Sequence, residues 1–261
     1  MYTVGMNTFL LMIALFGWTL TSQDSMMINL EEVDLWHLHA IDIQIQQTRK
    51  ENMLLDRSPF SNPDNSHFPL VEIIENPHDI TVIVNRVMCL DPNYVPVDLI
   101  ALSTLDKTLG AHLMRQEAAN ALVALKKVME FETKEIVESV SGYRSYKTQR
   151  VVFNRYMDQY GFDNANRYSA QPGHSEHQSG LAIDLRIRGF AMNQFGSSAS
   201  YQWLKVNAHK YGYIERYQKN ESRLSGYIHE PWHWRYVGVE LAMYLGENTL
   251  TLDEYWVNGV K

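Results

Sequence analysis

The sequence predicts an α+β domain: a small, mostly antiparallel sheet with helices on one face. Two observations carry this. Short runs rich in β-branched and aromatic residues, bounded by turn residues, alternate with longer runs whose apolar residues recur at helical spacing. Histidines and carboxylates interrupt the short runs, whereas the long runs present the apolar stripes that cover a sheet face. The sequence shows no internal repeat or low-complexity tract.

Along the chain, residues 4–20 carry no charged side chain and the first arginine is Arg49, so residues 1–22 read as a signal peptide or membrane anchor. The expected location is therefore extracytoplasmic, anchored at the membrane or secreted to the cell envelope. Residues 23–77 mix a helical pattern with the turn-rich DRSPFSNPDNSHFP and read as a stalk or peripheral segment. Residues 78–261 form the main domain. In it, 79–87 (DITVIVNRV) reads as a strand and 91–99 as a proline-bounded loop. The proline-free run 109–131 reads as one long helix. A strand in IVESVSGYRS precedes a helix over 146–160, which Gly161 closes. Then come a strand in GLAIDLRI, a helix in SYQWLKVNAHKYG, a strand in WHWRYVG and a final helix in VELAMYLGE.

Composition narrows the chemistry. The formal net charge is −7, and no long basic patch occurs, which argues against nucleic acid as a partner. The single cysteine, Cys89, excludes an intrachain disulfide and a cysteine-rich zinc site, so a metal here would need nitrogen and oxygen ligands.

One residue raises a specific demand. Asp184 lies in the apolar run LAIDL, and a buried carboxylate without a partner costs several kcal/mol. His177 precedes it by seven positions, with Gly180 between them to permit a turn; Glu230 and His233 follow in HEPWHWRYVG. Pro231 disfavours a helical Glu-x-x-His pair, so Glu230 should end a loop and His233 should enter a strand. Three His or carboxylate ligands with a further carboxylate to handle protons is the pattern of a catalytic zinc site. With ten histidines in the chain, spacing alone does not single this set out.

The surrounding motifs do. SGYRSYKTQ, PGHSEHQSGLAIDL and EPWHWRYVG, in this order, resemble the zinc D-alanyl-D-alanine carboxypeptidases of the vancomycin-resistance type, and the resemblance spans roughly residues 79–245. It implies that His177, Asp184 and His233 bind Zn2+, that Glu230 is the catalytic base, and that Arg144 steadies substrate and developing oxyanion. Ser175 and Gln149 match motif positions that imply substrate contacts; turn and helix-start hydrogen bonding is the other reading of both. His174 departs from the smaller or hydroxylated residue the resemblance leads one to expect, and His229 stands beside the base. A divalent cation would then hold Asp184 ionised. The implied activity is hydrolysis of the terminal D-Ala from peptidoglycan stem peptides by the domain at 78–261. The motifs leave room for an L,D-carboxypeptidase or a peptidoglycan endopeptidase of the same fold. A non-catalytic wall-binding protein would have no use for Glu230 and Arg144 together.

Overall fold

The computed structural model describes residues 71–258 apart from 107–108 and 220–224. The expected leader at 1–22 and nearly all of the expected stalk lie outside the described residues. No helix among the described residues is long and apolar enough to cross a membrane.

The framework is an antiparallel sheet of four strands, β5 (Val137–Ser141), β6 (Ala182–Ile187), β7 (Tyr213–Glu215) and β8 (His233–Tyr236), in the order β5-β6-β8-β7. Ahead of it stand two short pairs: β1 (Glu72–Ile73) parallel to β2 (Met88–Cys89), and β3 (Leu99–Ala101) antiparallel to β4 (Leu113–Arg115). The helices described are α1 (Gln116–Thr133), α2 (Tyr146–Tyr160), α3 (Phe162–Tyr168), α4 (Ala199–Asn207), α5 (Val239–Asn248) and α6 (Leu252–Val257). The α+β expectation holds.

Strand alternation divides the sheet into two faces. Ile183 and Leu185 of β6 join Trp234 and Tyr236 of β8 in the main core, with Ala118, Leu122, Leu125 and Met129 of α1 and Leu204 of α4. The α1 residues recur at three- and four-residue spacing, which aligns them as one stripe. Lys126 falls on the same buried face and is held there by Asp106 at 3.1 Å and Glu130 at 2.9 Å. The alternate residues, Asp184 of β6 and His233 and Arg235 of β8, face the other side. A second cluster of Ile83, Val237, Leu241, Ala242, Leu245 and Leu252 seats α5 and α6.

Three elements differ from expectation. Residues 79–87 are not a strand, although Val82, Ile83 and Val84 are buried. The guanidinium of Arg235 takes the Ile80 and Val82 carbonyls, and Asn85 turns the chain by accepting from the Val87 and Met88 amides, so the hydrophobic run has no ladder. The helix expected over 109–131 starts only at Gln116, because Leu113–Arg115 pairs with Leu99–Ala101 and Arg115 is extended. The helix in VELAMYLGE is not the last: α6 follows, opened by a reciprocal cap in which Thr251 and Glu254 each bond the other's backbone amide.

Candidate active site

The site forms where a tight turn, β6 and β8 meet. Residues Glu176–Ser179 make one 3₁₀ turn, closed by Gly180 at φ 71°. A side chain on Gly180 would bring its Cβ to 2.9 Å from Leu99 and 3.0 Å from Arg115, so both conformation and space require glycine there. The turn breaks strand alternation and lets His177 approach Asp184. Antiparallel register sets Asp184 directly opposite His233, where facing Cβ atoms lie about 4.5–5.5 Å apart. The chain turns at Pro231 and enters β8 at His233, whose amide bonds the Glu230 carbonyl at 3.0 Å; Glu230 thus ends a loop, as its proline neighbour implied.

His177, Asp184 and His233 are all buried, and one ligand atom from each lies within 4.8 Å of the others. Asp184 Oδ2 is 3.2 Å from His177 Nε2, and Asp184 Oδ1 is 3.0 Å from His233 Nδ1. Tetrahedral zinc with bonds of about 2.0–2.1 Å holds its ligand atoms about 3.3 Å apart, so the cluster fits that ion. The outward nitrogens fit as well: His177 Nδ1 is 2.8 Å from the Gly142 carbonyl, and His233 Nε2 is 3.2 Å from a carboxylate oxygen of Glu176. Such acceptors keep the proton on the outer nitrogen and leave the inner one free to ligate.

Asp184 sits between the two imidazoles. Burial would raise Asp184, but the two imidazoles outweigh it and hold the carboxyl far below the usual range. Burial lowers His177, with Asp184 opposing. Burial also disfavours the charged form of His233, yet its hydrogen bonds to the Asp184 and Glu176 carboxylates lift it to about 9. Glu230 behaves oppositely. Burial dominates and pushes its carboxyl up to about 7, against the pull of His233 and Arg144.

Arg144 lies between β5 and α2, its amide bonded to the His177 carbonyl at 3.1 Å. Its buried Nε has no partner, and burial lowers the guanidinium's pKa, with the carboxylates of Asp184 and Glu230 opposing without overcoming it. Five expected residues therefore converge: His177, Asp184, His233, Glu230 and Arg144. Gln149 donates its Nε2 to Ser169 Oγ at 3.2 Å and the Ala170 carbonyl at 2.6 Å, while its buried Oε1 has no partner. Ser175 is buried ahead of the 3₁₀ turn, and its side chain does not cap it. His174 bonds the Asn85 carbonyl at 2.8 Å, and His229 bonds Glu215 at 2.9 Å.

Sequence reasoning missed what surrounds His233. Tyr217 packs its ring 4.9 Å from that imidazole, and Glu176, Arg216 and Arg235 are fully buried beside it. A signal for Arg235 was present: it is a charge inside the strand HWRY, the same kind of anomaly that exposed Asp184.

Comparison with known proteins agrees with this geometry. The family model described as VanY, D-alanyl-D-alanine carboxypeptidase, matches residues 111–239. A Bacillus subtilis protein bearing the name carboxypeptidase YodJ is 38% identical over 229 residues, covering 80% of this chain and 84% of the relative. The solved structure of the LD-carboxypeptidase LdcB is 39% identical with a TM-score of 0.65, over 73% of this chain and 91% of that one. The structure of a vancomycin-resistance D,D-pentapeptidase VanY variant with Zn(II) is 28% identical with a TM-score of 0.59, over 67% of this chain and 98% of that one.

Proposed function

This chain belongs to the VanY family of D-alanyl-D-alanine carboxypeptidases, and we propose from that premise that it uses His177, Asp184 and His233 to hold zinc and removes the terminal D-Ala from peptidoglycan stem peptides. The observation that carries the reading is the buried His-Asp-His cluster flanked by a carboxyl raised to about 7 and a guanidinium with an unpaired nitrogen. Bound zinc supplies a Lewis acid that polarises the scissile carbonyl and makes a water more acidic.

The protein's own groups do the rest. Glu230 accepts the proton of the attacking water and delivers it to the departing D-Ala amine; a pKa near the working pH suits both transfers. Arg144 offers a planar, permanently charged fork to the terminal carboxylate or to the oxyanion that forms as water adds. Its backbone tie to His177 fixes that fork relative to the metal ligands. Burial of the cluster limits bulk water, which strengthens each of these electrostatic contacts. Ser175, buried and uncapped beside the turn, is a proposed substrate contact. Gln149, whose Nε2 is held by residues 169–170 while its buried Oε1 is unpaired, is a second proposed substrate contact.

Incubating the purified full chain with pentapeptide and tetrapeptide stems and following released amino acids by mass spectrometry tests this. D-Ala release from stems ending in D-Ala-D-Ala is expected, and its absence with zinc bound would refute the D,D assignment. A second reading has one observation behind it: the LdcB structure, titled as an LD-carboxypeptidase, shares more identity with this chain than the zinc-bound VanY structure does, 39% against 28%. That reading requires release from the tetrapeptide, so one assay separates the two. Such substrates, together with the uncharged run at 4–20, support a site of action in the cell envelope. Fractionation of expressing cells tests it, and active protein confined to the cytoplasm would oppose it.

A further inference from the structure

The two histidines of the cluster are backed differently. His177 Nδ1 meets a neutral backbone carbonyl, whereas His233 Nε2 meets the carboxylate of Glu176 at 3.2 Å. Glu176 is fully buried, and its other oxygen accepts from Arg216 Nε at 2.7 Å and from Arg235 Nη1 at 2.8 Å. Arg216 in turn meets the Asp253 carboxylate through Nη1 at 2.5 Å and Nη2 at 3.3 Å, and Asp253 also accepts from Asn85 at 3.1 Å. Arg235 spends its remaining donors on the Ile80, Val82 and Tyr236 carbonyls. Two carboxylates and two guanidiniums are thus balanced out of reach of water. Replacing a buried ion network with apolar packing is often neutral or stabilising, so stability alone is a weak reason to keep one. Orientation of a metal ligand is a stronger one: carboxylate–histidine–metal arrangements fix the ring and make it a better donor.

We infer that Glu176 and Asp253 are positioning residues of the metal centre, Glu176 by holding His233 with its proton on Nε2 and Nδ1 toward the cluster, and Asp253 by holding Arg216 against Glu176. This rests on the reading that His177, Asp184 and His233 bind zinc. It places part of the metal centre's support on α6, beyond the 111–239 stretch that the family model covers. In Glu176→Gln, one acceptor oxygen would remain for the three donors of His233, Arg216 and Arg235. In Asp253→Asn, Arg216 would lose its counter-charge and be free to draw Glu176 away from His233.

The test measures zinc dissociation constants for the full chain by competition with a chromophoric chelator, and records the visible spectrum of the cobalt-substituted protein. Glu176→Gln should weaken zinc by about 10–100-fold, the range for loss of such outer partners, and shift the cobalt bands. Asp253→Asn should weaken zinc in the same direction by a smaller factor, and it carries the test if Glu176→Gln fails to fold. Glu254→Ala is the control: it removes half of the α6 cap and lowers the unfolding midpoint without touching Asp253, so zinc affinity should stay within about twofold of the parent. The inference is overturned if folded Asp253→Asn or Glu176→Gln binds zinc as tightly as the parent with an unchanged cobalt spectrum, or if Glu254→Ala weakens zinc as much as Asp253→Asn. A parent chain that takes up no zinc overturns the metal reading itself and this inference with it.

Discussion

Replacing Glu230 by Gln should make the protein a worse enzyme and, once stripped of metal, a more stable one. The carboxyl ordinarily titrates near 4.5, and burial lifts it to about 7 in the folded chain. Below pH 4.5 it is protonated in both folded and unfolded states and the substitution changes little. Between pH 4.5 and 7 the unfolded chain ionises while the folded one resists, so folding loses stability that the neutral amide does not lose. Above pH 7 the difference levels off at about 3 kcal/mol, from 1.36 kcal/mol per pH unit; this is a ceiling, because solvent reaching the half-buried side chain screens part of it. Urea unfolding of metal-stripped parent and Glu230→Gln at pH 4 and pH 8 reads this, since the titrations of groups not coupled to Glu230 cancel in the difference. The variant should gain stability over the parent only at the higher pH. In parallel, D-Ala release should fall about 10²–10⁴-fold while zinc stays near one per chain. Undiminished turnover, or a stability difference that is the same at both pH values, would refute the assignment of Glu230 as a desolvated base.

Arg144→Lys keeps the charge but loses the planar fork, so kcat/KM should drop at least tenfold with zinc content unchanged by elemental analysis. His233→Ala should instead cut bound zinc, and added zinc should restore little activity. In the zinc-loaded enzyme, kcat/KM should fall as pH drops through the Glu230 pKa, because the carboxylate is the working form; the cation's charge places that limb below about 7, where burial puts it. Gly180→Ala forces a side chain onto φ 71° and against Leu99 and Arg115, so it should cost about 1–3 kcal/mol in urea unfolding and loosen zinc by separating His177 from Asp184.

How much of this was legible in the chain depends on the range of the physics involved. Periodicity, turn residues and proline act over a few positions, and from them the sequence alone determined the antiparallel framework, the helices around Leu122, Phe153 and Leu204, the glycine turn before Asp184 and the loop before His233. The residue types of the cluster, and through the motifs its family, were likewise readable without coordinates. Local pattern misled where a distant group intervened. The run 79–87 has a strand's composition, but Arg235, some 150 residues on, claims its carbonyls. The stretch at 109–115 looks helical until Leu99–Ala101 offers a pairing edge. Only the tertiary structure decided that Asp184 faces His233, because strand register is set by the whole hydrophobic face of β6 and β8. Only it decided the pKa of Glu230, since desolvation depends on every element packed around the carboxyl. Only it joined Glu176, Arg216, Arg235 and Asp253, four charges spread over 78 positions that reveal their pairing when burial removes water as the alternative partner.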